Sequence, residues 1–392
     1  MSTTSSPSQV DCSRRVRCSR SPGNNSLMQS RCCWTSRIVA DSWSNQATKS
    51  SRPCRGRRIG TPGWSSMNST ASTRRKCPLP PTENVPMDES AIISHIIKST
   101  DILPKPIIIG PGDDLGMIVS NGMKLLAGVD QVIEGRHVKI GEEPEKIGYK
   151  AMARSLSDVA AMAARPLGSL ATAAIPGSWD QDKTIRLCDA LRETAYRFEA
   201  PLFGGDIAVL AADQEHLVVT VTVLAEPPSS GRLVTTRRGA VEGDGIYMTG
   251  MLGGTIDDDG GGDHLEFTPR IKQALELSSI LEERLHSMID LSDGLGVDLK
   301  SIAQLSELSA VIDANSLPIR DDVTIEQAIQ SGEEYELLFS ATGDVPDHVL
   351  DLPITRIGTF ITDHAIGSIM LENDGPVRDI SNLGWQHRTG GQ

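Results

Sequence analysis

Beyond Cys77 this chain of 392 residues has a single cysteine, Cys188. One thiol cannot make a disulfide framework and suits a reducing cytoplasm. Long apolar runs are also missing: even residues 217–225 make only about half of the ~20 residues needed to span a membrane as a helix. There is no Gly-x-x-x-x-Gly-Lys-Ser/Thr loop, no Gly-x-Gly-x-x-Gly opening a helix, no His-Glu-x-x-His and no Gly-x-Ser-x-Gly. These absences exclude the P-loop, the dinucleotide fingerprint, zinc-protease chemistry and the nucleophile elbow. No short repeat period is visible.

What is present falls into two unlike parts. Residues 1–86 hold fourteen Lys or Arg against Asp11, Asp41 and Glu83, together with six of the seven cysteines. The rest holds 24 basic against 48 acidic residues. The first part is rich in Ser, Thr and Pro and follows neither the helical nor the strand period. Its composition admits a transit peptide, a nucleic-acid arm or a disordered extension. It lacks the apolar run of a signal peptide, and its cysteines lack the paired spacing of a zinc site. We expect Met87 to be the physiological start, because a compact pattern begins directly after it. The acidity of the remainder argues against a nucleic-acid surface.

The 306 residues from Met87 onward suffice for two α/β domains with mixed sheets. Patterning predicts helices over residues 89–98, 145–163, 180–198, 269–286 and 295–305. Strands are expected over 124–130, 167–175, 216–224 and 245–249, and near Ala310, Tyr335, Thr355 and Ser368. Pro227, Pro228 and Gly231 break the pattern, which divides the chain into domains 87–229 and 230–392.

Aspartates in unusual settings carry the chemistry. They are Asp114 in Gly110-Pro-Gly-Asp-Asp-Leu-Gly, Asp130, Asp158, Asp206 in Phe203-Gly-Gly-Asp, and Asp290 and Asp293 in Ile289-Asp-Leu-Ser-Asp-Gly. Glycine or small apolar neighbours place such carboxylates where backbone comes close to something. A buried carboxylate without a cation or donor is too costly to keep. Several together suggest magnesium and a polyphosphate. Each has a plainer reading: Asp158 paired with Arg154, Gly-Gly-Asp as an ordinary turn, Asp293 as a first-turn helix residue beside a capping Ser292. The acidic stretch 257–263 lacks the alternate spacing of a calcium loop and is expected to be a flexible surface insertion.

Taken in order, these motifs together with Val129-Asp-Gln-Val-Ile-Glu-Gly-Arg-His137, Ser155-Leu-Ser-Asp-Val-Ala-Ala-Met and Gly332-Glu-Glu-Tyr-Glu-Leu-Leu-Phe closely resemble the thiamine-monophosphate kinases. The resemblance spans residues 88–387. It implies the two-domain fold of aminoimidazole ribonucleotide synthetase and a homodimer that pairs N-terminal sheets. It also implies transfer of the ATP γ-phosphoryl to thiamine monophosphate. Several Mg²⁺ ions would be held by Asp114, Gly128, Val129, Asp130, Asp158, Asp206, Asp290 and Asp293. ATP would meet Gly205, Asp206, Arg237 and Ser292, and the substrate His137, Glu333 and Trp385. No protein nucleophile or base is implied, since an acceptor phosphate is already an oxyanion. Related enzymes of the superfamily, or a relative that has lost turnover, remain alternatives. The chain departs from the family's pattern at Gln131, Ile207, Ser331 and Glu334.

Overall fold

The computed structural model describes residues 89–100, 103–211, 213–228, 234–373 and 375–385. The expectations for residues 1–86, for a start at Met87 and for a boundary near residue 230 lie outside the described residues.

Helix α1 (Glu89–Ser99) leads into strands β1 (Ile107–Ile109), β2 (Gly116–Ser120) and β3 (Met123–Ile133). Then come α2 (Pro144–Ala161), β4 (Arg165–Ile175), α3 (Gln181–Arg197), β5 (Leu202–Val209) and β6 (Val218–Glu226). These six strands form one sheet in the order β1-β2-β3-β6-β4-β5. Alternation decides its two faces: Val219, Val221, Val223 and Ala225 of β6 are buried, while Val218, Thr220, Thr222 and Leu224 are only partly covered. Proline at the first turn of α2 fixes φ where an amide hydrogen is not needed. Small residues such as Ala151, Ala153 and Ala160 let α2 lie close to the sheet, and thirteen of its eighteen residues are buried. The N-cap carboxylate of Asp180 accepts from Lys183 N at the start of α3.

The second half contains β7 (Gly245–Thr249), α4 (Ile271–Leu281), β8 (Leu285–Asp290), α5 (Leu295–Leu305), β9 (Ser309–Asp313) and α6 (Ile325–Gln330). It ends with β10 (Leu337–Ala341), β11 (His348–Val349), β12 (Leu352–Ile361), β13 (Ile369–Glu372) and β14 (Arg378–Asp379). Its sheet runs β14-β13-β9-β12-β7-β10-β8, with β11 paired to β12. The two sheets separate along the chain, but the packing does not. One apolar cluster joins Leu156, Val159 and Val223 to Leu277, Met288 and Phe339, so α2 is shared between the halves. A second cluster, around Ile289, Leu299, Leu338 and Phe360, belongs to the later sheet.

The mixed α/β class matches expectation, with two departures. The helix expected over 269–286 is shorter, because residues 282–284 turn out of α4 and His286 lies in β8. Residues 202–209 form strand β5, although Gly-Gly-Asp suggested a turn. The stretch 257–263 lies at the surface, where Asp259 pairs with Lys139 at 2.9 Å and Asp263 with Arg320 at 2.6 Å.

Candidate active site

Two neighbouring cavities lie where α2, the end of β8 and the 331–336 segment converge. The smaller, about 200 Å³, is lined by Asp113, Asp114, Asp130, Arg154, Asp158, Arg237, Asp290, Ser292 and Tyr335. The larger, about 540 Å³, is lined by residues 135–140 after β3, by Ile256, Gly260 and His264, by Asp293 and residues 330–333, and by Trp385. Arg154 lines both.

The smaller cavity concentrates negative charge that the protein only partly answers. Asp114, Asp158 and Asp290 each offer a carboxylate oxygen within 4.8 Å of the others. Burial raises the Asp158 carboxyl well above the usual range, and neighbouring Asp130, Asp290 and Asp114 raise it further. Burial and Asp114 push Asp290 up to about 7, although Ser157 donates to its Oδ2 at 2.5 Å. Asp113 is pushed up to about 6 by burial and by Asp114. Arg237 binds Asp114 Oδ1 through Nη2 at 2.5 Å and Nε at 3.1 Å, yet Asp114 Oδ2 is buried without a partner. Raised carboxyls and an orphaned carboxylate oxygen are what an all-oxygen cation site shows before its ion is counted. The donor set therefore suits a hard divalent cation such as Mg²⁺.

Local backbone explains the convergence. Asp130 stands mid-strand in β3, facing the same side as buried Leu126 and Val132. At Gly128 a Cβ would sit 2.3 Å from Leu115 Cδ2, so glycine makes room for Leu115, with Asp158 Oδ2 3.7 Å from the same point. After β8, Asp298 accepts from the amides of Ser292, Asp293 and Gly294, all at 3.0 Å, which shapes the turn carrying Ser292 and Asp293. A Cβ at Gly332 would meet Ser292 O at 2.9 Å, whereas Ser331, at φ −66°, sits in backbone open to any residue. The serine departure is thus tolerated and the next glycine is required. Glu333 and Tyr335 both hold positive φ, 62° and 53°, a strained conformation characteristic of functional segments.

The larger cavity is organised by a buried lysine. Lys150 is fully buried, and its Nζ lies 2.6 Å from His137 O, 2.7 Å from His264 Nδ1 and 2.6 Å from Glu333 Oε2. Two ammonium hydrogens go to His137 O and Glu333 Oε2, and His264 Nδ1 also lies 2.7 Å from Glu333 Oε2, to which it donates. Burial opposes charge on both partners, lowering Lys150 to about 8, but for Glu333 the bonds from His264 and Lys150 prevail and hold it near 2. The Arg136 guanidinium lies 4.8 Å from the Trp385 ring centroid, and Trp385 N donates to Asp293 O at 2.7 Å.

Most of the residues expected from the motifs come together. Asp114, Asp130, Asp158, Asp290, Arg237 and Ser292 line the smaller cavity, and His137, Glu333, Trp385 and Asp293 line the larger. Gly128 adjoins the first, and Val129 faces outward at 63% exposure. Gly205 and Asp206 line neither. Asp206 pairs with Thr172, which pairs with Thr220 and through it with Gln131, so it stands three strands from β3, roughly 14 Å at the usual strand spacing. Asp158 does not pair with Arg154; Asp130 does, at 2.8 Å to Nε. Glu334 lines neither cavity and accepts from Gly253 N at 3.2 Å. Sequence reasoning missed Asp113, Lys150, His264 and Tyr335. One signal was available: Lys150, Arg154 and Asp158 recur every four residues on a helix otherwise small and apolar, which aligns them on one face.

Comparison with known proteins shows the family. Residues 112–226 match the AIR synthase related protein N-terminal domain, and residues 236–356 match its C-terminal domain. The thiamine-monophosphate kinase of Bacillus subtilis is 30% identical over 336 residues, covering 77% of this chain and 99% of that protein. The chain belongs to the thiamine-monophosphate kinase family. A crystal structure of the family from Stenotrophomonas maltophilia is similar at 27% identity and a TM-score of 0.55, covering 74% of this chain and 98% of that one. The structure of AaThiL complexed with AMPPCP and TMP shares the family fold at 24% identity and a TM-score of 0.62, covering 76% and 97%.

Proposed function

We propose that this protein transfers the γ-phosphoryl of ATP to thiamine monophosphate, giving thiamine diphosphate and ADP. The observation that carries this reading is the pairing of an acidic, cation-suited cavity with an adjoining larger one that ends in an ionised Glu333 and an exposed tryptophan ring. Thiamine carries a cationic ring, which an ionised carboxylate and an aromatic face can hold. An oxygen of the acceptor phosphate attacks Pγ, the bond from Pγ to the β-phosphate oxygen breaks, and the bond order is conserved without a proton changing hands. No side chain need act as base, so the work is positioning and charge compensation.

Asp114, Asp130, Asp158 and Asp290 would hold Mg²⁺, with Asp293, Gly128 and Val129 adding contacts at the edges. When bound, the ions neutralise phosphate oxygens and hold donor and acceptor in line. Arg237, tied to Asp114, and Ser292, at the turn after β8, are placed for ATP phosphates. Lys150 orients Glu333 toward the acceptor. We take the division into domains 87–229 and 230–392 as the family's two halves, and assign the protein to the cytoplasm. Among the described residues no helix is long and apolar enough to cross a membrane.

Asp206 and Gly205 need a second copy. The outer face of the six-stranded sheet, with Ile118 and Val129 at 40% and 63% exposure, has Asp206 in its row with Gln131, Thr220 and Thr172. Two such faces packed together as a homodimer would bring Asp206 of one protomer toward the outer face of the other's β3, where Val129 projects.

The direct test is to incubate the full chain with ATP, Mg²⁺ and thiamine monophosphate and follow thiamine diphosphate. ATP bound without product would favour a relative that has lost turnover. Mixing Asp158→Asn with Asp206→Asn protomers tests the shared site. Each variant alone should be nearly inactive, while hybrids regain about a quarter of wild-type activity, because one site in each hybrid is intact. No recovery would place Asp206 in its own protomer's site.

A further inference from the structure

The two cavities meet at one side chain. Among the described residues Arg154 alone lines both, and it projects from α2 one turn before Asp158. Its Nε donates to Asp130 Oδ2 at 2.8 Å, so this bond does not commit the terminal nitrogens Nη1 and Nη2. Its side chain is 18% exposed, within the wall rather than on the outer surface. The other arginine of the acidic cavity, Arg237, spends both Nε and Nη2 on Asp114.

Tyr335 adds an independent observation. It is 1% exposed, stacked on Phe267 with ring centroids 3.8 Å apart, and its hydroxyl is buried without a hydrogen-bond partner. Burial raises the Tyr335 phenol well above its usual range, so it stays a proton donor. A buried donor without an acceptor is costly, and the cost is removed if a ligand brings the acceptor. Both groups line the acidic cavity, where every other titratable side chain except Arg237 is an aspartate.

We propose that Arg154, assisted by the Tyr335 hydroxyl, grips the phosphate of the acceptor and makes this site select phosphorylated thiamine over thiamine itself. The inference rests on the functional reading above. The acceptor ring would lie in the larger cavity and its phosphate at the shared wall, facing the γ-phosphoryl group across it. A guanidinium matches two phosphate oxygens at once, which orients the attacking oxygen as well as offsetting its charge. As an arginine it stays charged throughout the working pH range.

The test compares binding of thiamine monophosphate and thiamine by calorimetry, with Mg²⁺ and AMPPCP present, in wild type and in Arg154→Met, Arg154→Lys and Tyr335→Phe. Wild type should prefer the phosphorylated ligand. Arg154→Met should cut that preference on the order of tenfold to a hundredfold while AMPPCP affinity stays within about twofold, as for loss of a charge-assisted pair. Arg154→Lys should restore part of the preference, since it keeps a point charge without the fork. Tyr335→Phe, which removes only a hydroxyl and is unlike a folding lesion, should cost a few-fold. A preference unchanged in Arg154→Met, or a loss confined to AMPPCP or Mg²⁺ affinity, overturns the role of the arginine and leaves it as the partner of Asp130. Wild-type protein that binds neither thiamine compound overturns the functional reading, and this inference with it.

Discussion

The two adjoining cavities handle buried charge in opposite ways. Around Glu333 the protein completes its own circuit: Lys150 donates to His137 O and Glu333 Oε2, and His264 Nδ1 lies 2.7 Å from the same carboxylate oxygen. Around Asp158 the circuit is left open, with raised carboxyls and an unpartnered oxygen on Asp114. The first arrangement is rigid without ligand and presents a formed receptor. The second is complete only when cations arrive, so its stability depends on what it binds. The same helix supplies Lys150 to one and Asp158 to the other, which couples their geometry across two turns.

The largest expected effect tests the closed circuit. Lys150→Met should cost about 3–5 kcal/mol of unfolding free energy, because removing one partner of a buried pair strands the other. Denaturant unfolding measures it, and a loss below about 1 kcal/mol would show that the lysine is dispensable to the fold.

Asp158→Asn probes the open circuit and should separate stability from activity. Turnover should fall on the order of 10² to 10³-fold, as for loss of a preorganised electrostatic group. The metal-free variant should nevertheless be at least as stable as wild type, since one of several crowded carboxylates is gone. Reduced stability together with normal turnover would reverse the contrast drawn between the cavities.

The pH dependence follows from the same open circuit. Asp113 and Asp290 titrate near 6 and 7 in the folded protein against 3.8 ordinarily, so folding takes up protons between about pH 4 and pH 7. A raised carboxyl contributes its stability in full below the unfolded value and loses it as pH rises through the folded one. Metal-free protein should therefore melt several degrees lower at pH 8 than at pH 5.5, and Mg²⁺ should raise the melting temperature more at pH 8. Equal Mg²⁺ shifts at the two pH values would mean that these carboxyls are not the ones that meet the ion.

How much of this was legible in the sequence depends on the kind of interaction. Aspartates beside glycine could be picked out because close backbone approach leaves a local mark, as at Gly294 next to Asp293, where a Cβ would meet Ser331 O at 2.3 Å. The strands of alternating valines in β6 and the small-residue helix α2 were equally plain. The partners of charges were not, since pairing is settled by tertiary distance: Arg154 joins Asp130 from 24 positions away rather than Asp158 four residues on. His264 lay hidden because its acidic neighbours read as loop, although its own side chain is buried at 3% exposure against Lys150 and Glu333. Asp206 was misplaced in local structure for a related reason. Two glycines suggest a turn, but pairing with β4 makes an edge strand of them.

The smallest effect concerns the rim of the receptor cavity. Trp385 is 42% exposed, and its ring carries Arg136 on one face while its amide is tied to Asp293 O. Its removal should leave the acidic cavity untouched, since Trp385 does not line that cavity and its amide bond to Asp293 O is one that any residue can make. Trp385→Ala should raise KM for thiamine monophosphate on the order of tenfold, the worth of an aromatic and cation contact of about 1–1.5 kcal/mol, with KM for ATP unchanged. Trp385→Phe should recover most of the loss, because the ring face and not the indole N–H does the holding. If both constants rise together, the cavities are not separable at this edge, and the turn at Asp293 transmits the lesion from the receptor to the cation site.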